Sequence, residues 1–292
     1  MSLVLAFEDE AALAGALAAA LGWPVEIVAR HVFPDGETRL TLPPRLPGRV
    51  VLLRGLQQPN PKLAELLLAA AGARELGAAR LELVCPYLAY MRQDTAFHPG
   101  EVVSQRHLGR ALAAWFDAVI TVDPHLHRVA TMDEVVPGRR GIAVSAALAV
   151  GTFVAEREPT ALLVGPDEEA AQWVQVAAAG HGMGHAVCRK TRRGDRDVEV
   201  ELPALDWRGR AVVLVDDVAS TGRTLASATR ALLERGAASV DAVVTHALFV
   251  GDAVPQLHAA GLRRLWSSDS VAHPTNAFSV VPLLAGAIGS LK

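Results

Sequence analysis

The chain has 292 residues, 51% apolar and 20% charged, with a formal net charge of −3; this suits two ordinary domains and excludes both a disordered chain and a broadly basic nucleic-acid-binding face. The two cysteines, Cys85 and Cys188, have neither disulfide-framework nor zinc-site spacing and point to a reducing compartment. Acids interrupt the N-terminal MSLVLAFEDE early, and no later segment approaches about 18 uninterrupted apolar residues, so neither signal peptide nor membrane span is expected and the cytoplasm is the expected location.

In chain order, FPDGE at 33–37 reads by itself as a Pro-Asp-Gly turn. VVLLRG at 50–55 is the first of several short Val/Leu/Ile runs, followed by LELVCPY at 81–87, AVITVD at 118–123, ALLVGPD at 161–167, AVVLVDD at 211–217 and VDAVVTHAL at 240–248. Helical Ala/Leu segments lie between them, as in KLAELLLAAAGARELGA from Lys62 and SQRHLGRALAAWF from Ser104, where Ser104 is the expected N-cap. The alternation predicts βαβ units and an α/β fold of two domains, each a central parallel sheet flanked by helices. The junction falls near 137–145, giving domains 1–143 and 144–280, with 281–292 returning to the first.

Polar groups gather where the predicted strands end. PYLAYMRQD places Arg92, Gln93 and Asp94 at one exit. Arginine offers a planar fork to phosphate and a flat face to a purine, and glutamine offers both donor and acceptor to a base edge; in isolation the same three residues make a solvated turn. VITVDPHLH ends in Asp123, His125 and His127, where a lone histidine reads as a structural hydrogen-bonder. Asp167 in GPDEE reads alone as a turn residue. CRKTRRGDRD, from Cys188, concentrates positive charge; such runs are ordinarily solvated, yet Lys190 is one of only three lysines among 28 basic residues.

The most informative stretch is VVLVDDVASTGRTL at 212–225. A buried strand ending at Val215 puts Asp216 and Asp217 at its carboxyl end, the usual ligand position in open α/β sheets. The backbone amides and hydroxyls of Ser220, Thr221, Gly222, Arg223 and Thr224 then form the N-terminus of a helix, where unpaired amides and the dipole favour an anion. Carboxylates accept hydrogen bonds from vicinal hydroxyls, so acids beside a phosphate nest suggest ribose 5-phosphate. Read locally, the same residues turn the chain and cap a helix.

This stretch resembles the phosphoribosyl-pyrophosphate (PRPP) loop of type I phosphoribosyltransferases and of ribose-phosphate pyrophosphokinases (PRPP synthetases). PYLAYMRQD, FHPGE at 97–101, FPDGE, VITVDPHLH, Asp167 and the Lys190-x-Arg192 pair resemble further elements of the pyrophosphokinase family, in its order and over nearly the whole chain. The resemblance implies transfer of the diphosphate of ATP to the C1 hydroxyl of ribose 5-phosphate, giving PRPP and AMP. Lys190 and Arg192 would be catalytic, and Phe33, Asp35, Glu37, Arg92, Gln93 and Asp94 would bind ATP. Asp216, Asp217 and Ser220–Thr224 would bind ribose 5-phosphate, with His125 and Asp167 as Mg²⁺ ligands. FPDGE would reach a neighbouring subunit's pocket, so a homodimer or larger homo-oligomer is implied, with no nucleic-acid or membrane partner. The chain departs from the family at Ser220, where an acid is usual, at Arg223, commonly Gly, at Glu168-Glu169, customarily a Gly-rich pair, and at Pro124 after Asp123. The alternatives are a type I phosphoribosyltransferase, against which the N-terminal half speaks, and a non-catalytic regulatory homologue, against which the Lys190–Arg192 pair speaks.

Overall fold

A computed structural model of the chain describes residues 1–126, 128–193 and 197–291; His127 lies outside them. The chain divides into two compact units, residues 1–145 with the segment from Val280, and Ala146–Ser279.

Unit 1 runs β1 (Ser2–Phe7), α1 (Ala11–Leu21), β2 (Val25–Val32), β3 (Thr38–Thr41), β4 (Arg49–Leu53), α2 (Pro59–Glu75), β5 (Arg80–Cys85), α3 (Ser104–Trp115), β6 (Ala118–Val122), α4 (Met132–Val135) and β7 (Arg140–Val144). Its sheet has the order β3-β2-β1-β4-β5-β6-β7. All neighbours are parallel except β2 and β3, which form an antiparallel hairpin. Alternate residues of the central strands, such as Leu5, Phe7, Val50, Leu52 and Leu83, join Leu66, Leu112 and Phe116 of the helices and their ends in one core.

Unit 2 comprises α5 (Ala147–Arg157), β8 (Leu162–Gly165), α6 (Ala171–Ala179), β9 (His185–Val187), β10 (Arg189–Arg193), β11 (Asp197–Glu201), β12 (Ala211–Ala219), α7 (Arg223–Glu234), β13 (Ser239–Ala247), α8 (Ala253–Ala259), β14 (Leu265–Ser268) and β15 (Asn276–Phe278). Its main sheet is parallel throughout, in the order β15-β14-β13-β12-β8-β9, with β10 and β11 forming a separate antiparallel pair. The last helix, α9 (Val281–Ser290), belongs to unit 1, where it packs on α1 and beside β6 and β7. Arg49 Nη2 donates to its Ile288 carbonyl at 3.1 Å. No helix among the described residues is long and apolar enough to cross a membrane.

Three local expectations are corrected. The strand carrying the acid pair does not stop at Val215, because the β12–β13 ladder continues until Ala219 faces Ala247. Ser104 is the first residue of α3 and Val103 is its N-cap; the serine Oγ donates instead to the Tyr90 carbonyl at 3.3 Å. The helix expected from Lys62 starts earlier, at Pro59, whose fixed φ suits the first helical turn after a left-handed Gln58.

Unit 1 also buries a charge cluster that the apolar pattern conceals. Arg54 is fully buried over the Phe7 ring, 4.2 Å from its centroid, and bonds Asp9 at 2.7 Å, Glu10 at 3.2 Å and Glu65. Lys62 Nζ donates to the Gly55 carbonyl at 3.0 Å, and the Gly55 amide donates to Glu10 at 2.5 Å.

Gly109 in α3 decides how closely α3 and α4 approach. A Cβ there would lie 1.9 Å from the Val135 carbonyl oxygen, a backbone atom. Gly→Ala inside a helix ordinarily stabilises by about 0.5–1 kcal/mol; here the clash reverses the sign. Gly109→Ala is expected to destabilise by roughly 1–3 kcal/mol, read by thermal or urea unfolding. Gly48→Ala, whose Cβ meets nothing within 4 Å, serves as the neutral control, and equal stability of the two variants contradicts the packing argument.

Candidate functional site

In unit 2 the polar residues gather at the carboxyl edge of the parallel sheet. Asp217 is buried and Asp216 half-buried near the end of β12, and the Asp217 amide donates to Asp216 Oδ1 at 3.0 Å. Asp167 follows β8, the strand paired with β12. It is buried and caps a short 3₁₀ turn over Glu168–Ala170 by accepting the Glu169 amide at 3.1 Å. Burial, then the negative charges of Asp217 and Asp167, push the Asp216 carboxyl well above the usual carboxylate range. Burial, with the Asp167 charge added, pushes the Cys188 thiol up to about 12, so this cysteine is a neutral packing residue at neutral pH.

The loop after β12 is held by its carbonyls. The Leu248 and Phe249 amides both donate to the Ala219 carbonyl, at 3.0 and 3.1 Å, and the Val250 amide donates to that of Ser220 at 3.0 Å. Gly222 then takes a left-handed conformation at φ +69° as the N-cap of α7, with its Cα side packed on Leu257. A side chain at this position would be strained by that φ and pressed against the leucine. No side chain caps the first turn of α7. Among the described residues no side-chain hydrogen bond engages Ser220, Thr221 or Thr224, and Arg223 projects exposed from the first helical position. The result is a turn rich in unmet donors at the positive end of a 12-residue helix, directly after two acids.

Lys190 and Arg192 lie on β10, opposite Val200 and Val198 of β11; their side chains lie outside the described residues. The start of this hairpin is near the 3₁₀ turn, since Arg189 Nε stands 3.7 Å from Glu168, both exposed.

In unit 1 the remaining candidates follow strand ends at the corresponding edge. FPDGE is the turn of the β2–β3 hairpin: the Phe33 amide donates to the Glu37 carbonyl at 2.8 Å, and the Glu37 amide to Asp35 Oδ1 at 3.1 Å. The Phe33 ring is 37% exposed, packed edge-on against His31 with the Arg39 guanidinium 5.9 Å from its centroid. Beyond β5, Arg92 is exposed, Gln93 donates to the Thr95 carbonyl at 3.0 Å, and buried Asp94 pairs with Arg128 at 3.4 Å. Glu101 holds the FHPGE loop by accepting the Phe97 amide at 2.7 Å and facing His98 at 2.8 Å. Beyond β6, Asp123 is buried with φ at +36°, a strained value for a residue other than glycine, and His125 is half-buried.

The structure therefore brings Asp167, Asp216 and Asp217 together, with Ser220–Thr224 following on the same edge. Phe33, Asp35 and Glu37 leave unit 1 at β2, separated by β1 and β4 from Arg92, Gln93 and Asp94 at β5. Among the described residues no three His, Cys, Asp or Glu side chains are placed to hold a metal ion by themselves. The buttress at 248–250 is invisible to residue-type reasoning, because it acts through main-chain amides; its only sequence signal is the proximity of LFVG to the end of a strand.

Residues 2–115 match the N-terminal domain of ribose phosphate pyrophosphokinase, and residues 132–258 match the phosphoribosyl transferase domain. The chain is 38% identical over 294 residues to a ribose-phosphate pyrophosphokinase of Methanopyrus kandleri, covering 99% of each. It is 32% identical to that of Halobacterium salinarum, covering 98% of this chain and all of the relative. The phosphoribosylpyrophosphate synthetase of Mycobacterium smegmatis has the same fold, with a TM-score of 0.86 at 23% identity over 99% of this chain and 98% of that one. With both domain matches in order and full-length identity above 30%, the chain belongs to the ribose-phosphate pyrophosphokinase family.

Proposed function

We propose that this protein transfers the β,γ-diphosphate of ATP to the C1 hydroxyl of ribose 5-phosphate, giving PRPP and AMP. The observation that carries the reading is the carboxyl edge of β12, where an acid pair is followed directly by an uncapped helix N-terminus rich in unmet hydroxyl and amide donors. The first-turn amides of α7, the hydroxyls of Ser220, Thr221 and Thr224, and Arg223 hold the 5-phosphate. Asp216 and Asp217 accept the ribose hydroxyls. The C1 oxygen then attacks the β-phosphorus in line, the bond from that phosphorus to the α,β-bridging oxygen breaks, and the C1 hydroxyl loses its proton. Lys190 and Arg192 neutralise the charge that grows on the nonbridging oxygens and on the departing AMP.

Arg92, Gln93 and Asp94 hold ATP, and the FPDGE turn, with Phe33, Asp35 and Glu37, completes the pocket from a neighbouring chain in a homodimer or larger assembly. Mg²⁺ suits the donor set near Asp167, because it binds through one or two carboxylates, retains waters and takes further oxygens from substrate phosphates. His125 and Asp167 are the ligands proposed for it, and a bound Mg²⁺ would supply neutralisation of diphosphate charge. We place the enzyme in the cytoplasm.

Purified protein with Mg²⁺, ATP and ribose 5-phosphate is expected to release AMP and form PRPP. Lys190→Ala is expected to lower kcat by about 10²–10³-fold, the usual cost of removing a charge-stabilising donor, while ATP binding persists by calorimetry. Absence of AMP release from the wild type defeats the reading.

Asp216 is held beside two other acids, Asp217 and Asp167. Asp216→Asn removes that repulsion and is expected to raise stability by roughly 0.5–2 kcal/mol in chelator, measured by thermal unfolding, while the stabilisation given by ribose 5-phosphate with Mg²⁺ largely disappears. A variant less stable than wild type in chelator, or one stabilised equally by ligand, counts against the assignment.

A further inference from the structure

Unit 2 has a concave site remote from its acids and the 220–224 loop. The segment 205–208 ahead of β12 and residues 234–236 at the far end of α7 line an open hollow of about 380 Å³. Since α7 has 12 residues, the cavity stands about 18 Å along the helix from Gly222. It therefore shares no residue with the catalytic site proposed above.

Its walls are chemically divided. Arg208 and Arg235 are exposed, and among the described residues neither guanidinium has an ion-pair or side-chain hydrogen-bond partner. Asp206 and Glu234 are also exposed on the rim, and one Asp206 oxygen accepts the Arg208 amide at 3.2 Å. Trp207, 2% exposed, is the one buried residue of the lining, and its indole N–H is inaccessible and so is not offered to the hollow. A cation at the end of α7 offsets the helix dipole, which accounts for Arg235. It does not account for a second unpaired arginine and two carboxylates around the same hollow.

Two guanidinia suit the oxygens of a phosphate. Exposed carboxylates accept from hydroxyls, and Leu205, 44% exposed, offers an apolar edge. The volume exceeds that of a bare oxyanion and sits at the lower end for small-molecule pockets, about 300–1,000 Å³. We infer that this cavity is a second sugar-phosphate site, in which Arg208 and Arg235 hold the phosphate and Asp206 and Glu234 accept the sugar hydroxyls.

Equilibrium dialysis of the full chain with labelled ribose 5-phosphate and Mg²⁺, without ATP, tests this. Wild type is expected to bind two equivalents per chain, and Arg208→Ala/Arg235→Ala one, with kcat within twofold of wild type. Asp217→Asn is expected to lose the catalytic equivalent and keep the other. Glu234→Gln is expected to weaken the second equivalent at least threefold for ribose 5-phosphate without changing displacement by inorganic phosphate. A single equivalent in wild type that is lost in Asp217→Asn overturns the inference, as does a second that survives the double arginine substitution. Displacement by inorganic phosphate at concentrations as low as those of ribose 5-phosphate overturns it in favour of a plain oxyanion site. Failure of the catalytic reading appears separately, as absence of PRPP from the wild type, and leaves the equivalent in Asp217→Asn to be counted.

Discussion

The functional edge of unit 2 depends on the parallel pairing of β12 with β13 continuing past the acid pair. Val218 faces His246 and Ala219 faces Ala247, and the next three amides of the β13 chain take the Ala219 and Ser220 carbonyls. With these carbonyls engaged, the chain turns at Gly222 in the left-handed region and enters α7 with its first turn uncapped by any side chain. The donors of the loop are thus left for a ligand by the same bonds that fix its position. A loop ordered in this way would lose little conformational entropy on binding the proposed phosphate.

The two units handle buried acids differently. In unit 1, Glu10 is pushed up by burial, while Arg54 and Lys62 pull it back and Arg54 also bonds Asp9 and Glu65. Cations and anions of this cluster are supplied by the same fold, and removing one partner would strand the others in a dry site. In unit 2 the charges weighing most on Asp216 belong to Asp217 and Asp167, and both are negative. Burial and like charge there raise the cost of ionisation, and a bound cation or hydroxyl donor relieves it. The first arrangement holds structure together; the second carries an electrostatic cost that the proposed ligands would relieve.

The strands that are legible in the sequence are the ones buried on both faces. VVLL at 50–53 and VVLV at 212–215 present continuous apolar runs, whereas β2, VEIVARHV, is mostly exposed and β7, RGIAV, only half-buried, so neither shows a continuous apolar signal. The acid pair was legible as a strand-end feature, but the strand's true end was not: two acids look like a boundary, and only the partner strand's register carries the ladder through them. The proximity of Asp167 to Asp216 arises from β8 pairing with β12 across nearly fifty residues, information that no local pattern holds. The Arg54 cluster was hidden for a related reason, since its partners come from the end of β1, the end of β4 and the middle of α2.

Strand order also bears on the proposal that the ATP pocket is shared between two chains. The FPDGE turn leaves the sheet at β2 and the Arg92–Asp94 segment at β5, with β1 and β4 between them. Three strand spacings amount to about 14 Å, whereas aromatic rings stack with centroids within about 4.5–7 Å. The strands that lead to Phe33 and to Arg92 thus leave the sheet about 14 Å apart, a spacing compatible with the proposal that the two residues serve pockets on different chains. The FPDGE turn is nevertheless built for presentation: it is closed by its own Phe33–Glu37 and Asp35–Glu37 bonds, with a partly exposed ring at its tip. A self-contained hairpin tip needs no support from its own sheet edge, so it can serve a pocket on a neighbouring copy while Arg92, Gln93 and Asp94 serve their own.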